Sequence, residues 1–149
     1  MTDTVTVQKA VTAFDLAQCV QIRTLVFVVG QGVPAAREID EHENDCTYFI
    51  ARLNGEAAGT VRWRRYNDHT AKIERLAVLE TARGRKLAES LTKAAMEDIE
   101  RDPSITTIKL GAQTYIMPLY EKFGFVADGP EYMDGGTIPH QDMVKHLRP

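Results

Sequence analysis

Apolar and polar positions alternate in several stretches of this chain, and between them the apolar spacing changes to threes and fours. Val5 and Val7 alternate with polar neighbours up to Lys9, which predicts a short first strand. Thr12 and Asp15 then form a helix start of the Thr-x-x-Asp kind, and Leu16, Cys19, Val20, Arg23 and Phe27 share one helical face. Gly30, Gly32 and Pro34 break regular structure. Residues 47–53, with Tyr48, Phe49, Ile50 and Leu53, predict a second strand. Asn54-Gly55 is a hairpin turn, because both residues tolerate positive φ. Residues 56–66 return, Asn67-Asp68-His69 turns again, and 71–79 completes an antiparallel meander.

The stretch over 73–91, IERLAVLETARGRKLAESL, organises the chain around it. Its branched apolar start reads as the end of a strand. A polar turn over 80–85 contains Gly84, and Leu87, Ala88, Leu91, Ala94, Ala95, Met96 and Ile99 then recur at helical spacing. The first N–H groups of such a helix lack intrahelical partners, and its aligned peptide dipoles leave partial positive charge there. Arg83, Arg85 and Lys86 add full charges at the same place, so a diphosphate would be held well. A strand, a basic turn and a helix also occur without any ligand. The turn is neither GxxxxGK[ST] nor GxGxxG.

After Asp102-Pro103, residues 105–110 predict another strand, which Gly111-Ala112-Gln113 leaves. Pro118 suits the first turn of a short helix carrying Leu119, Tyr120 and Phe123, and Gly124 ends it. Residues 125–133 and 138–147 predict a final hairpin around Asp134-Gly135-Gly136. The 149 residues amount to one layered α/β domain, residues 1–149, without repeat or linker.

Composition narrows the function classes. A net charge of −3 argues against a general nucleic-acid binder, which would be basic. No apolar run approaches the roughly 18 residues of a membrane span. The N-terminus lacks the layout of a signal peptide, which fits a cytoplasmic setting. Cys19 and Cys46 have no metal-ligand spacing, and Cys19 on its apolar stripe reads as a buried thiol. Glu38, Asp40, Glu41, Glu43 and Asp45 form an acidic run, which is either a solvated loop or an attractor of a cationic acceptor. Arg23 is the odd member of its stripe. Either its stem packs while its head reaches water, or it aims a cation into a substrate pocket.

LAVLETARGRKLAESL resembles the cofactor-binding motif of the GNAT superfamily of acetyl-CoA-dependent N-acetyltransferases, written [QR]xxGx[GA]. Arg83 matches its first position and Ala88 its last, while Lys86 stands where glycine is usual. A second signature of that superfamily, LYxxxGF, is matched by Leu119, Tyr120, Gly124 and Phe125. LVFVVGQGVPAAREID is similar to the ElaA-type branch, with Gly30 where that branch has glutamate. GTIPHQDMVKHL resembles the end of glyphosate N-acetyltransferase.

The resemblance implies a fold and a set of roles. The fold is a mixed, mostly antiparallel α/β sheet, splayed between its two central strands at the acetyl-CoA site. Leu76, Ala77 and Val78 would present backbone groups to the pantetheine arm. Gly84, Arg85, Lys86, Leu87, Ala88 and Glu89 would wrap the diphosphate beside Arg83, provided that position 86 needs no positive φ. Gln113 would sit near the pantetheine. Tyr120 would be the general acid, since a phenol with a pKa near 10 keeps its proton at neutral pH. The base is Glu74 or His140, whose imidazole suits the task. Arg75 could clamp an anionic acceptor. His42, His69 and His146 lack such context and read as surface residues.

Direct acetyl transfer to an amine needs neither a metal nor a covalent enzyme intermediate. The implied function is N-acetylation of a small amine or amino-acid-like metabolite by a monomer or homodimer. A non-catalytic acetyl-CoA-binding module and a peptide N-acetyltransferase are the alternatives. The former has no use for a proton donor and a base.

Overall fold

A computed structural model describes residues 2–134 and 137–148 of the chain. Seven strands form one sheet in the order β1-β2-β3-β4-β5-β7-β6. They are β1 (Val5–Lys9), β2 (Thr47–Leu53), β3 (Glu56–Arg65), β4 (Thr70–Val78), β5 (Thr107–Gln113), β6 (Val126–Asp134) and β7 (Ile138–His146). The helices are α1 (Ala13–Arg23), α2 (Ala35–Glu38), α3 (Leu87–Glu100) and α4 (Met117–Lys122).

The meander β2-β3-β4 forms as its alternation predicts, and Asn54 and Gly55 both take positive φ, 53° and 88°. The Thr12 side chain caps α1 by accepting from the Asp15 N–H at 3.1 Å. α3 lays Leu87, Leu91, Ala95, Met96 and Ile99 on one face of the sheet, against Val61, Ile73, Ile108 and Leu110. α1 covers part of the other face through Cys19 and Ile22. Cys19 is a fully buried thiol, as its stripe predicts.

Two local features depart from expectation. α1 runs on into a π-helical turn, Thr24–Val29, closed by the Gly30 N–H donating to the Leu25 carbonyl at 2.9 Å. A Cβ on Gly30 would stand 2.6 Å from the Val26 carbonyl oxygen, so this turn requires glycine where the similar branch has glutamate. β5 extends through Gly111, Ala112 and Gln113 rather than ending before them, because β7 pairs with it to Gln113↔His140. The hairpin turn expected at Asp134-Gly135-Gly136 lies outside the described residues at Gly135 and Gly136. Among the described residues, no helix is long and apolar enough to cross a membrane.

Candidate active site

β4 and β5 are parallel neighbours over only three register pairs, Thr70↔Thr107 to Lys72↔Lys109. Beyond them the strands part, and a cleft of about 740 Å³ opens between residues 73–78 of β4 and 111–113 of β5. The β3–β4 register also shifts between Thr60 and Arg62, and Arg75 takes a φ of 59° at this bulge. Arg75 and Leu76 therefore have no register partner on β3. Their backbone is left beside the cleft.

One end of the cleft reaches the turn before α3. Leu76, Ala77, Val78, Arg83 and Ala88 line it, and Gly84 turns the chain at a φ of 80°. No side chain caps α3, so its first N–H groups face outward without a protein acceptor of that kind. Lys86 takes a φ of 64°, contrary to the condition set for it. Glycine is the residue that adopts this geometry without strain, and lysine bears a cost of about 1–2 kcal/mol. Three other residues of the predicted wrap point their side chains elsewhere. Leu87 is buried in the core, Arg85 pairs with Asp3 at 3.1 Å, and Glu89 pairs with Lys122 at 3.2 Å. Their backbone groups remain beside the turn before α3. Gln113 exchanges amide hydrogen bonds of 2.8 and 3.2 Å with Gln31, across from the π-helical turn.

The acid–base candidates line the same cleft. Tyr120, on α4, is buried edge-on against Phe125 and lines the cleft. Burial pushes its phenol pKa well above the usual value, so it keeps its proton. His140, on β7, also lines the cleft, with its Nδ1 2.9 Å from the Ile138 carbonyl oxygen. A carbonyl only accepts, so Nδ1 carries the hydrogen and the neutral ring leaves Nε2 as a proton acceptor. Glu74 lines the cleft too, held by Arg62 at 3.2 Å, Arg64 at 3.0 Å and Lys72 at 3.4 Å. Burial opposes its ionisation, but these cations together hold its pKa below the ordinary carboxylate value.

Arg23 departs from both of its readings. It is fully buried, donating to Glu38 Oε2 and Glu43 Oε1 at 2.8 Å each and to the Glu38 carbonyl at 2.7 Å. Its head reaches neither water nor the cleft. Arg75 does line the cleft, paired with Glu38 at 3.2 Å and Asp40 at 3.1 Å. The acidic run is therefore no solvated loop at these positions. Glu38, Asp40 and Glu43 turn inward as counter-charges, and Arg62, entirely buried, pairs with Asp40 at 2.7 Å and Glu43 at 3.0 Å. Sequence reasoning missed Arg62 because its partners lie 12 to 22 residues away. Among the described residues, no group of His, Cys, Asp and Glu is placed to hold a metal ion.

This splayed sheet, with its uncapped helix N-terminus, has close counterparts. The acetyltransferase (GNAT) domain family matches residues 19–147. The chain belongs to the GNAT acetyltransferase family. The uncharacterized N-acetyltransferase YjcF of Bacillus subtilis is 37% identical over 125 residues, 83% of this chain and 87% of the relative. Escherichia coli ElaA has the same fold, with a TM-score of 0.85 at 25% identity, covering 96% of this chain and all of the other. An acyl-CoA N-acyltransferase of Pseudomonas aeruginosa gives 0.82 at 28% identity, covering 97% and 99%. This GNAT protein is accordingly an acyltransferase, and its family uses acetyl-CoA. Reasoning from sequence gave no role to Gln31, Lys72 and Tyr132, which line the GNAT cleft. For Tyr132 a signal existed, since counting outward from 134 and 138 pairs it with His140.

Proposed function

We propose that this GNAT acetyltransferase moves the acetyl group of acetyl-CoA directly to the amine of a small metabolite or amino-acid-like acceptor. His140 Nε2 takes a proton from the amine as the new C–N bond forms. The C–S bond of the thioester breaks, and Tyr120 gives its proton to the departing thiolate. Proton exchange with solvent restores both groups. The backbone of Leu76, Ala77 and Val78 holds the pantetheine arm. The start of α3, from Gly84 to Ala88 with Arg83, holds the diphosphate. The enzyme acts in the cytoplasm, where its two free thiols stay reduced.

The observation that carries this reading is that a buried phenol keeping its proton and an imidazole with Nε2 unprotonated line one cleft. A binding module has no need of either. Glu74 ranks second as the base, because the three cations on its carboxylate weaken it as a proton acceptor.

The test is free-thiol release from acetyl-CoA across amines, amino acids, polyamines and short peptides. Turnover of a small amine, lost in His140→Ala together with the acid limb of its pH profile, supports the reading. A limb that survives His140→Ala but activity that falls in Glu74→Gln would move the base to Glu74. No binding of acetyl-CoA by calorimetry would remove the donor assignment, and Gly84→Asp is expected to weaken that binding strongly.

A further inference from the structure

We infer that Tyr132 is a positioning residue for His140, and that Gly111 is glycine so that Tyr132 can lie across the sheet. The inference rests on the reading of His140 as the base. Tyr132 and His140 are direct cross-strand partners on β6 and β7. Their rings stack, with centroids 5.8 Å apart and planes 25° from parallel. The Tyr132 hydroxyl passes over β7 and donates to Asp142 Oδ1 at 2.7 Å. Directly opposite Asp142 on β5 is Gly111, where an added Cβ would stand 2.7 Å from that same hydroxyl. The phenol is thus held at its far end by Asp142 and given room by Gly111, and its face covers the imidazole.

The register that brings the two rings together has its own lock. β6 carries two extra residues between Ala127 and Glu131, with Gly129 at a φ of 82°. The buried Gln141 donates to the Gly129 carbonyl at 2.9 Å, filling this bulge from β7. Every residue beyond it, Tyr132 included, then meets β7 in one register.

The consequence is chemical. Among the described residues, the His140 ring is tied by one hydrogen bond, through Nδ1 to the Ile138 carbonyl. A ring held by one hydrogen bond can still swing about χ2, and the swing would take Nδ1 off its carbonyl and let Nε2 carry the hydrogen instead. A stacked phenol, itself anchored, removes that freedom. It also presents a π face to the imidazolium that forms when the base accepts its proton. Tyr132 touches His140 and lines the cleft, yet no proton passes through it.

The test reads the tautomer and the rate separately. Side-chain 15N spectra of His140, assigned against His140→Ala, are recorded above pH 8 for the wild type, Tyr132→Phe, Tyr132→Leu, Gly111→Ala and the Gly111→Ala/Tyr132→Phe double variant. Thiol release from acetyl-CoA is measured with the panel amine that turns over fastest in the wild type. The wild type should hold hydrogen on Nδ1. Tyr132→Leu and Gly111→Ala should move a large part of the population to Nε2–H and lower kcat about tenfold or more, with acetyl-CoA affinity and melting temperature nearly unchanged. Tyr132→Phe alone should lose only a few-fold. The double variant, which removes the hydroxyl that the new methyl would strike, should recover most of what Gly111→Ala loses. A wild-type tautomer and rate in Tyr132→Leu, with activity lost in His140→Ala, would overturn this inference alone. Full activity in His140→Ala would overturn the base reading, and the catalytic part of this inference with it. A destabilised Tyr132→Leu leaves the Gly111→Ala pair to decide, and failure of the double variant to recover overturns the claim.

Discussion

A proposed proton donor at Tyr120 and a strained backbone at Lys86 each rest on one residue. Tyr120 is buried, and desolvation holds its proton on, which is what a donor to a thiolate requires. Tyr120→Phe keeps the ring against Phe125 and removes only that proton. It is expected to lower kcat by about 10- to 10⁴-fold with acetyl-CoA affinity unchanged, read by thiol release and calorimetry. Equal kcat would make Tyr120 a packing residue. Lys86 is strained, as Arg75 is at the bulge, with a φ of 64° at the entry of α3. Lys86→Gly should relieve the left-handed geometry and, after the entropy that glycine costs, gain up to about 1 kcal/mol. Lys86→Ala keeps the strain and loses the charge. Comparing the two by thermal melting and by acetyl-CoA calorimetry separates backbone from ammonium. A Lys86→Gly variant less stable than Lys86→Ala would contradict the strain argument.

At the scale of elements, the loop from Gly30 to Asp45 has a structural role that its polarity conceals. Glu43 bonds Arg23, the Tyr48 hydroxyl at 2.6 Å and the Asp40 N–H at 3.0 Å, and it pairs with Arg62. Glu38 joins Arg23 to Arg75, and Arg75 stands on the β4 bulge. The loop is therefore clamped to α1 and to the bulge that exposes the cleft backbone. Removing one partner of a buried pair leaves the other charge uncompensated. Arg23→Ala is expected to cost about 3–5 kcal/mol in urea unfolding, and to loosen the cleft beside Glu38 and Arg75 without weakening acetyl-CoA binding in proportion. A loss below about 1 kcal/mol would mean that Glu38 and Glu43 find other partners.

For the whole molecule, the same network makes stability depend on acid. Glu43, Asp40 and Glu74 all have folded pKa values depressed below their ordinary values of 4.5, 3.8 and 4.5, since the hydrogen bonds and charges of neighbouring groups outweigh burial. A depressed carboxylate adds stability that is fully present above the unfolded pKa and is lost as pH falls through the folded one. Melting temperature should thus hold from about pH 7 to pH 5 and fall steadily below about pH 4.5. In Glu43→Gln the protein should start less stable and fall less over the same range. A melting temperature independent of pH down to 3 would show that the network does not survive in solution.

Local pattern was enough for the antiparallel meander, the long helix with its basic entry, the capped first helix and the short helix carrying Tyr120. Each depends on neighbours within about ten residues, through side-chain period, caps and turn residues. The ARGRKLA and LYEKFGF motifs led from there to the family. The rest depended on residues far apart in the chain. That β7 lies between β5 and β6 is a choice among sheet edges that no local signal encodes. The parting of β4 from β5 after three register pairs, which makes the cleft, is likewise a matter of strands far apart in the chain. Arg23 and the acidic run looked like surface or substrate groups because a charge is read as solvated until its partners are known. Their partners come from α1, β3 and β4 across the fold. The tautomer of His140 was equally out of reach, although its position was not. It is set by the Ile138 carbonyl oxygen, whose place beside the ring exists only once the strand has folded.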